Sequence, residues 1–214
     1  RLKHPFYYNG LGNTLEIYGD YIYSCGHSFD SSLVSYSYIL KCDLDGDTIW
    51  QRYYNPHAEV SRFDAIKVNR RGNLMLGGSK ITGANNLEYW LLELDTSGTV
   101  LWEQTYGGPL WEALYTLDTT SDGGYVMCGY KYINANTVNP WVVKTDSLGT
   151  MQWNTLLNTQ TAAWASVAKN GNVLVYTGKK TPTPSITDSY TAMLNNTGQL
   201  VWEKTYIFST MSYN

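Results

Sequence analysis

Charge is scarce in this chain. Asp, Glu, Lys and Arg together make up 15% of its 214 residues, with a net charge of -3 at pH 7, and no run of Lys and Arg occurs that could neutralise a phosphate backbone. A nucleic-acid partner is therefore not expected. Long apolar runs are missing too. The stretch from Tyr89 to Leu92 is typical, and it is far shorter than the roughly 20 residues that a membrane helix needs. Cysteine is limited to Cys25, Cys42 and Cys128, an odd number without a C-x-x-C pair, which excludes a disulfide framework and a structural zinc site. Two of the three precede a Gly at matching places, as small buried strand residues would. Histidine is confined to His4, His27 and His57, whose spacing suits neither a metal site nor a catalytic triad. The chain starts at Arg1 without an initiator Met or a signal-peptide pattern, and reads as a processed product or as part of a longer protein.

Aromatic residues are what the chain has in abundance, with 19 Tyr and 8 Trp, a composition of strands and of surfaces that stack flat ligands. They recur in a pattern. A polar turn followed by Trp occurs four times, at Asp43 to Trp50, Asp95 to Trp102, Asp146 to Trp153 and Asn195 to Trp202, with Gly46, Gly98, Gly149 and Gly198 at its fourth position. Successive Trp residues lie 52, 51 and 49 positions apart. Ahead of each turn an apolar run closes on a Gly, at Gly26, Gly78, Gly129 and Gly178, and an aromatic follows twelve residues later, at Tyr38, Trp90, Trp141 and Tyr190. Hairpin signals precede these runs: Gly19-Asp20, Arg71-Gly72-Asn73, Asp122-Gly123-Gly124 and Asn170-Gly171-Asn172.

Each copy thus reads as four short antiparallel strands in about fifty residues, the signature of a propeller blade, and no copy has the helical periodicity of a helix-pair solenoid. The expected fold is an all-β propeller of four-stranded antiparallel blades. About four blades lie in this chain, over approximate repeats 11–54, 55–106, 107–157 and 158–206, as a single propeller domain or a section of a larger one. Gly46, Trp50, Gly98, Trp102, Gly149, Trp153, Gly198 and Trp202 are its structural positions.

The Asp-x-x-Gly-x-x-x-Trp turn resembles the tryptophan-docking repeat of quinoprotein-like, PQQ-type propellers. The fuller run Trp102-Glu-Gln-Thr-Tyr-Gly-Gly108, followed by Thr120-Ser-Asp-Gly-Gly-Tyr125 and Gly129, looks like the repeat-rich secreted and cell-surface propellers of Bacteroidota and some archaea. That resemblance spans about Leu15 to Tyr206, and implies blades whose last-strand Trp packs on the neighbouring blade. It implies a secreted, periplasmic or cell-surface location and leaves function open, because such repeats serve enzymes, assembly scaffolds and large surface proteins alike. The sialidase Asp-box does not match, because two residues separate Asp from Gly in every copy.

On a symmetric scaffold a site arises where the repeat is broken. Trp111 and Trp164 do not recur. They are read as lying in connections between blades, and with Tyr130 and Tyr132 they form the candidate stacking surface for a sugar or peptide. Asp43, Asp45 and Asp47 are a weak candidate for Ca²⁺, found in one copy only and without the Gly position and distal Glu of an EF-hand loop. The inner-strand segments 65–68, 116–118 and 166–168 show no cationic and stacking set for a quinone, so no cofactor is expected. The loop between second and third strands has one length throughout by spacing, leaving no room for a catalytic lid. Asn195-Asn-Thr197 fits a glycosylation sequon, and the segment 179–185 is an extended Pro/Thr loop. The expectation is a non-catalytic binding or assembly module with a protein or glycan partner at its loop face, within a larger surface complex. The alternatives are a carbohydrate-active or quinone-dependent propeller enzyme with its catalytic residues elsewhere, and an architectural spacer of a large adhesin.

Overall fold

The structure is a computed structural model, and it describes residues 7–30, 35–54, 60–83, 86–167, 171–180 and 187–207. Sixteen strands and no helix occur among them. The first sheet contains β1 (Tyr7–Tyr18), β2 (Tyr21–Asp30), β3 (Ser35–Asp43) and β4 (Thr48–Tyr54), and the second β5 (Ser61–Val68), β6 (Leu74–Thr82), β7 (Asn86–Leu94) and β8 (Val100–Tyr106). The third is built of β9 (Glu112–Thr119), β10 (Tyr125–Asn134), β11 (Thr137–Thr145) and β12 (Met151–Leu156), and the fourth of β13 (Ala163–Val167), β14 (Val173–Lys180), β15 (Thr187–Leu194) and β16 (Leu200–Tyr206). Each sheet is an open antiparallel meander in sequence order. The chain divides into two compact units, 1–109 and 110–214, with two sheets in each.

The turn before each Trp is one device used four times. The carboxylate of Asp43 accepts the backbone N–H of Asp45 and Asp47, at 3.1 and 2.8 Å. Asp95, Asp146 and the amide oxygen of Asn195 do the same two and four residues on. The Gly at the fourth position sits at φ 81–89°, a conformation that costs other residues a Cβ clash. The side chain thus substitutes for the ladder at the point where the chain reverses, and β4, β8, β12 and β16 follow after a register shift beside the turn, between Lys41 and Cys42, Glu93 and Leu94, Lys144 and Thr145, and Met193 and Leu194 of the preceding strands.

Alternation then decides what is buried. In the first unit Tyr23, Cys25, Ile39 and Tyr54 of the first sheet meet Phe63, Ile66, Leu74, Leu76, Trp90, Leu92 and Leu94 of the second, with Trp50 packed against them. In the second unit Val126, Cys128, Val142 and Leu157 meet Ala163, Val173, Val175, Tyr190, Ala192 and Leu194, with Trp153 against them. In both units the forward face of one sheet is thus covered by the rear face of the next. Burying such side chains contributes about 1.5–3 kcal/mol each. Polar bonds lock the same joints: Tyr54 Oη donates to Gly98 O at 2.8 Å, Thr155 Oγ1 to Gly198 O at 2.6 Å and Trp153 Nε1 to Asn196 O at 2.9 Å.

The fourth sheet departs from the spacing. Gly26, Gly78 and Gly129 face Tyr38, Trp90 and Trp141 across the ladder, but Tyr190 faces Thr177, and Gly178 pairs with Ser189. The expected equal loop lengths therefore fail by one residue here. The reason is steric. In the first three sheets the inner strand bulges against the Gly, at Asn13, Asp64 and Tyr115. A Cβ on Gly78 or Gly129 would come within 2.0 Å of the carbonyl oxygen of Arg62 or Ala113. Thr177 carries a Cβ, and β13 pairs with β14 without a bulge.

Candidate ligand-binding surface

The bulge places Tyr115 out of step with its strand, and this residue joins aromatics that are far apart in sequence. Trp164 stacks on Tyr115 with centroids 5.4 Å apart and planes at 19°. Tyr115 meets Tyr130 edge-on at 5.7 Å, and Tyr130 meets Tyr132 in the same manner at 5.8 Å. Such offset and T-shaped pairs contribute about 0.5–1.5 kcal/mol beyond their area. Tyr132 N–H donates to Trp111 O at 2.9 Å, bringing Trp111 to the end of the row. There a cleft of about 280 Å³ opens, lined by Leu110, Trp111, Tyr132, Asn134 and Ala135. Trp111 and Trp164 are each 49% exposed. All five aromatics belong to the second unit.

The four residues singled out from sequence, Trp111, Tyr130, Tyr132 and Trp164, are thus brought together, and the one that links them, Tyr115, was missed. Its signal was present: counted back from the Gly of each copy, Tyr115 stands where Asp64 stands in the second. Trp164 is also not in a connection, as expected, but inside β13, paired with Tyr176. Behind the cleft Lys131 Nζ donates to the fully buried Glu112 at 2.6 Å and lies 4.6 Å from the Trp141 ring centroid. Lys80 over Trp90 and Lys179 over Tyr190 repeat that arrangement, which marks it as part of the framework.

The matching corner of the first unit is polar. Asn13 Nδ2 donates to Phe63 O at 2.6 Å and lies 3.4 Å from both His27 Nδ1 and Asp64 Oδ1, while Arg62 Nε is 2.9 Å from Asp64 Oδ2. Burial pushes the Asp64 carboxyl up to about 6 against the opposing charge of Arg62. Burial and then Arg62 lower His27. His4 and His57 lie outside the described residues.

Asp43 uses its carboxylate to close its turn as the other three turns do, and among the described residues no group of His, Cys, Asp and Glu is arranged for a metal. Asn195, the sequon residue, spends its side-chain oxygen on the turn as well. Cys25 and Cys128 are fully buried, and burial raises both thiols, Cys128 to about 12, so neither is a nucleophile at neutral pH. A second cavity of about 150 Å³, lined by Lys144, Asp122 and Trp153 among others, offers no free cation. Lys144 Nζ donates to Asp122, Thr145 O and Gln152 Oε1.

No helix among the described residues is long and apolar enough to cross a membrane. No family model matches the chain, and no curated protein does. Among solved structures it is similar to a eukaryotic initiation factor, at 7% identity and a TM-score of 0.37, over 93% of this chain and 65% of that one. It is also similar to the tail fiber of Staphylococcus aureus phage P68, at 11% identity and a TM-score of 0.29, over 92% of this chain and 63% of that one. The chain spans just under two thirds of the length of each of these two structures.

Proposed function

We propose that the chain is a section of a secreted or cell-surface β-propeller, each sheet a blade, acting as a non-catalytic module that binds a glycan on the aromatic row of its second unit. The observation that carries this reading is the run Trp164, Tyr115, Tyr130, Tyr132 and the Trp111 cleft, which ends on two half-exposed indoles. The C–H-rich faces of pyranose rings stack on such surfaces, while Asn134 at the cleft supplies a hydrogen-bonding amide. The propeller part of the reading is supported by four sequential four-stranded meanders and by Trp153, whose indole docks on the Asn196 carbonyl of the next sheet.

The test is binding of the intact chain to a panel of immobilised oligosaccharides, followed by titration of the best one. Trp111→Ala is expected to weaken binding tenfold or more with the unfolding midpoint unchanged, because Trp111 is half-exposed. A folded protein that retains no oligosaccharide, or one whose affinity survives both Trp111→Ala and Trp164→Ala, would sink the glycan reading. Capture of an extended peptide in place of a sugar would redirect it to a protein partner.

A further inference from the structure

The joint between the third and fourth sheets holds a cavity that the joint between the first and second fills with the chain's own side chains. Counted along the ladders from the Trp turn, Ile22 facing Cys42 stands where Tyr125 faces Thr145, so Tyr21 answers to Gly124 and Tyr23 to Val126. Ile17 faces Ile22 as Thr119 faces Tyr125, so Tyr18 answers to Thr120. Three phenol rings of the first unit are thus replaced by a Thr, a Gly and a Val in the second. In the first unit those rings are engaged. A Cβ on Gly72 of the next sheet would lie 2.6 Å from the Tyr18 hydroxyl, Tyr23 meets Trp50 edge-on at 6.3 Å, and Lys41 Nζ lies 3.8 Å from the Tyr21 ring centroid. In the second unit Gly171 precedes Val173 as Gly72 precedes Leu74, and a Cβ on it would meet no described atom nearer than 4.0 Å. Here the cavity of about 150 Å³ lies, with Val126, Val173 and Trp153 in its wall and the exposed Ser121, Asp122 and Asn196 on its solvent side.

We propose that this cavity binds a phenol ring, carried by a small phenolic compound or by a tyrosine side chain of a partner, with Asp122 accepting its hydroxyl. The occupant follows from the counterpart joint, which closes the same place with tyrosines of its own. The size agrees, because a cavity of about 150 Å³ takes up a benzene ring. Water is a poor occupant, since the polar groups here are spent on one another. Lys144 Nζ donates to Asp122, Thr145 O and Gln152 Oε1, Asp122 also accepts from Thr120 and the Gly124 amide, and Asn196 O accepts the Trp153 indole. What remains for a ligand is the apolar wall of Val126, Val173 and the Trp153 ring, together with the outer part of a carboxylate whose side chain is 55% exposed. Thr120, the Gly124 amide and Lys144 keep that carboxylate ionised, and an anionic acceptor strengthens a hydrogen bond from a phenol. All of these residues belong to the second unit, and the inference does not rest on the glycan reading.

The experiment is titration of the full chain with phenol, followed by the amide and indole resonances in nuclear magnetic resonance spectra. Saturable shifts are expected at the Trp153 indole N–H and the Gly124 and Gly171 amides, and toluene, which lacks the hydroxyl, should bind at least fivefold more weakly. Thr120→Tyr, which restores the residue of the first unit, should abolish the shifts in a chain that circular dichroism shows to be folded. Trp111→Ala, which removes the glycan cleft, should leave them unchanged, so the two readings fail separately. The peptide acetyl-Gly-Tyr-Gly-amide tells the sources apart: binding as tight as that of phenol supports a partner's tyrosine, and its exclusion while phenol binds supports a free phenolic compound. Wild-type spectra in which these three resonances do not shift overturn the proposal without recourse to any variant. So do shifts confined to Trp111 and Tyr132, or toluene binding as tightly as phenol.

Discussion

Opposite the Trp of its last strand, the second sheet carries Glu93 and the third carries Lys144. The pairing residue on the first hairpin loop is reversed to match: Arg71 reaches Glu93 at 2.6 Å, and Lys144 reaches Asp122 at 2.9 Å. The buried member is negative in one sheet and positive in the other. Glu93 is 1% exposed, and burial opposes its charge, yet donations from Asn73, Arg71 and Asn69 and the charge of Arg71 hold its carboxyl below the usual range. The first and fourth sheets solve the same position differently, with Lys41 lying 3.8 Å from the Tyr21 ring centroid and Asn172 donating to the Met193 sulfur at 3.5 Å. What the position demands is that its group be satisfied, whatever the sign.

Moving one sign without its partner should therefore have the largest effect. Glu93→Lys sets an ammonium against Arg71 and strips Asn69 and Asn73 of their acceptor, and a loss of about 3–5 kcal/mol in chemical denaturation is expected. Arg71→Asp with Glu93→Lys copies the third sheet only in part, because there Gly124 makes the room: a Cβ at Gly124 would lie 2.5 Å from Lys144 Nζ. Adding Asn73→Gly should recover most of the loss. A triple variant as unstable as Glu93→Lys would show that the two corners are not interchangeable.

The next largest effect concerns the bulge, which sets the third sheet apart from the fourth. Gly129→Ala forces a Cβ to within 2.0 Å of Ala113 O and should cost about 3 kcal/mol, the upper end of overpacking. Thr177→Gly at the equivalent place meets no such clash. It should cost about 1 kcal/mol in chain entropy plus the hydroxyl's contacts with Ala162 O and Thr161. Equal costs at the two positions would refute the steric account of the missing bulge.

That contrast also measures how much could be read from the chain. The turns were legible because their chemistry is local: an Asx oxygen caps the amides two and four residues on, and a Gly takes positive φ. So were the aromatic positions that recur. The fourth sheet was misread by one residue because the Gly in the pattern is a partner for a bulge on another strand, and a Thr in its place changes the pairing rather than the composition. Tyr115 escaped for a related reason. A bulge residue belongs to neither face of its strand, so alternation gives it no place, although it is the centre of the aromatic row. The charge-reversed corners were invisible in the separate copies and emerge only when the ladder sets Arg71 beside Glu93 and Asp122 beside Lys144.

Titration separates the polar corner of the first unit from the third sheet. The Asp64 carboxyl is raised to about 6 in the folded protein, so the native state holds this proton more tightly than the unfolded chain does. Its contribution to stability is present at acid pH and is lost as pH rises from the ordinary carboxylate range through about 6. Asp122 is held down to about 2, where burial is outweighed by Thr120, the Gly124 amide and Lys144, and it acts in the opposite sense, its contribution fading only as pH falls towards that value. Between pH 4 and 6, Asp64→Asn should gain on the wild type by about 2 kcal/mol in denaturation midpoints converted to free energy. A flat difference across that window would mean that Asp64 does not retain its proton.

The smallest expected effect divides the repeated Trp residues themselves. Trp153 donates its indole N–H to the Asn196 carbonyl of the following sheet at 2.9 Å, whereas Trp102 donates to the Glu93 carboxylate of its own sheet. Phenylalanine keeps most of the ring and removes the donor. Trp153→Phe gives up a neutral bond at a partly open turn, at a cost of about 1 kcal/mol, and Trp102→Phe a bond to a buried charge, at a cost of about 2 kcal/mol. Glu93 retains Arg71, Asn69 and Asn73 when Trp102 is changed, which keeps that loss below the cost of reversing its sign. If Trp153→Phe proved the more damaging, the joint between the third and fourth sheets would depend on that single indole bond more than on the apolar surface around it, and the role of Trp as a packing residue would have to give way to one as a latch.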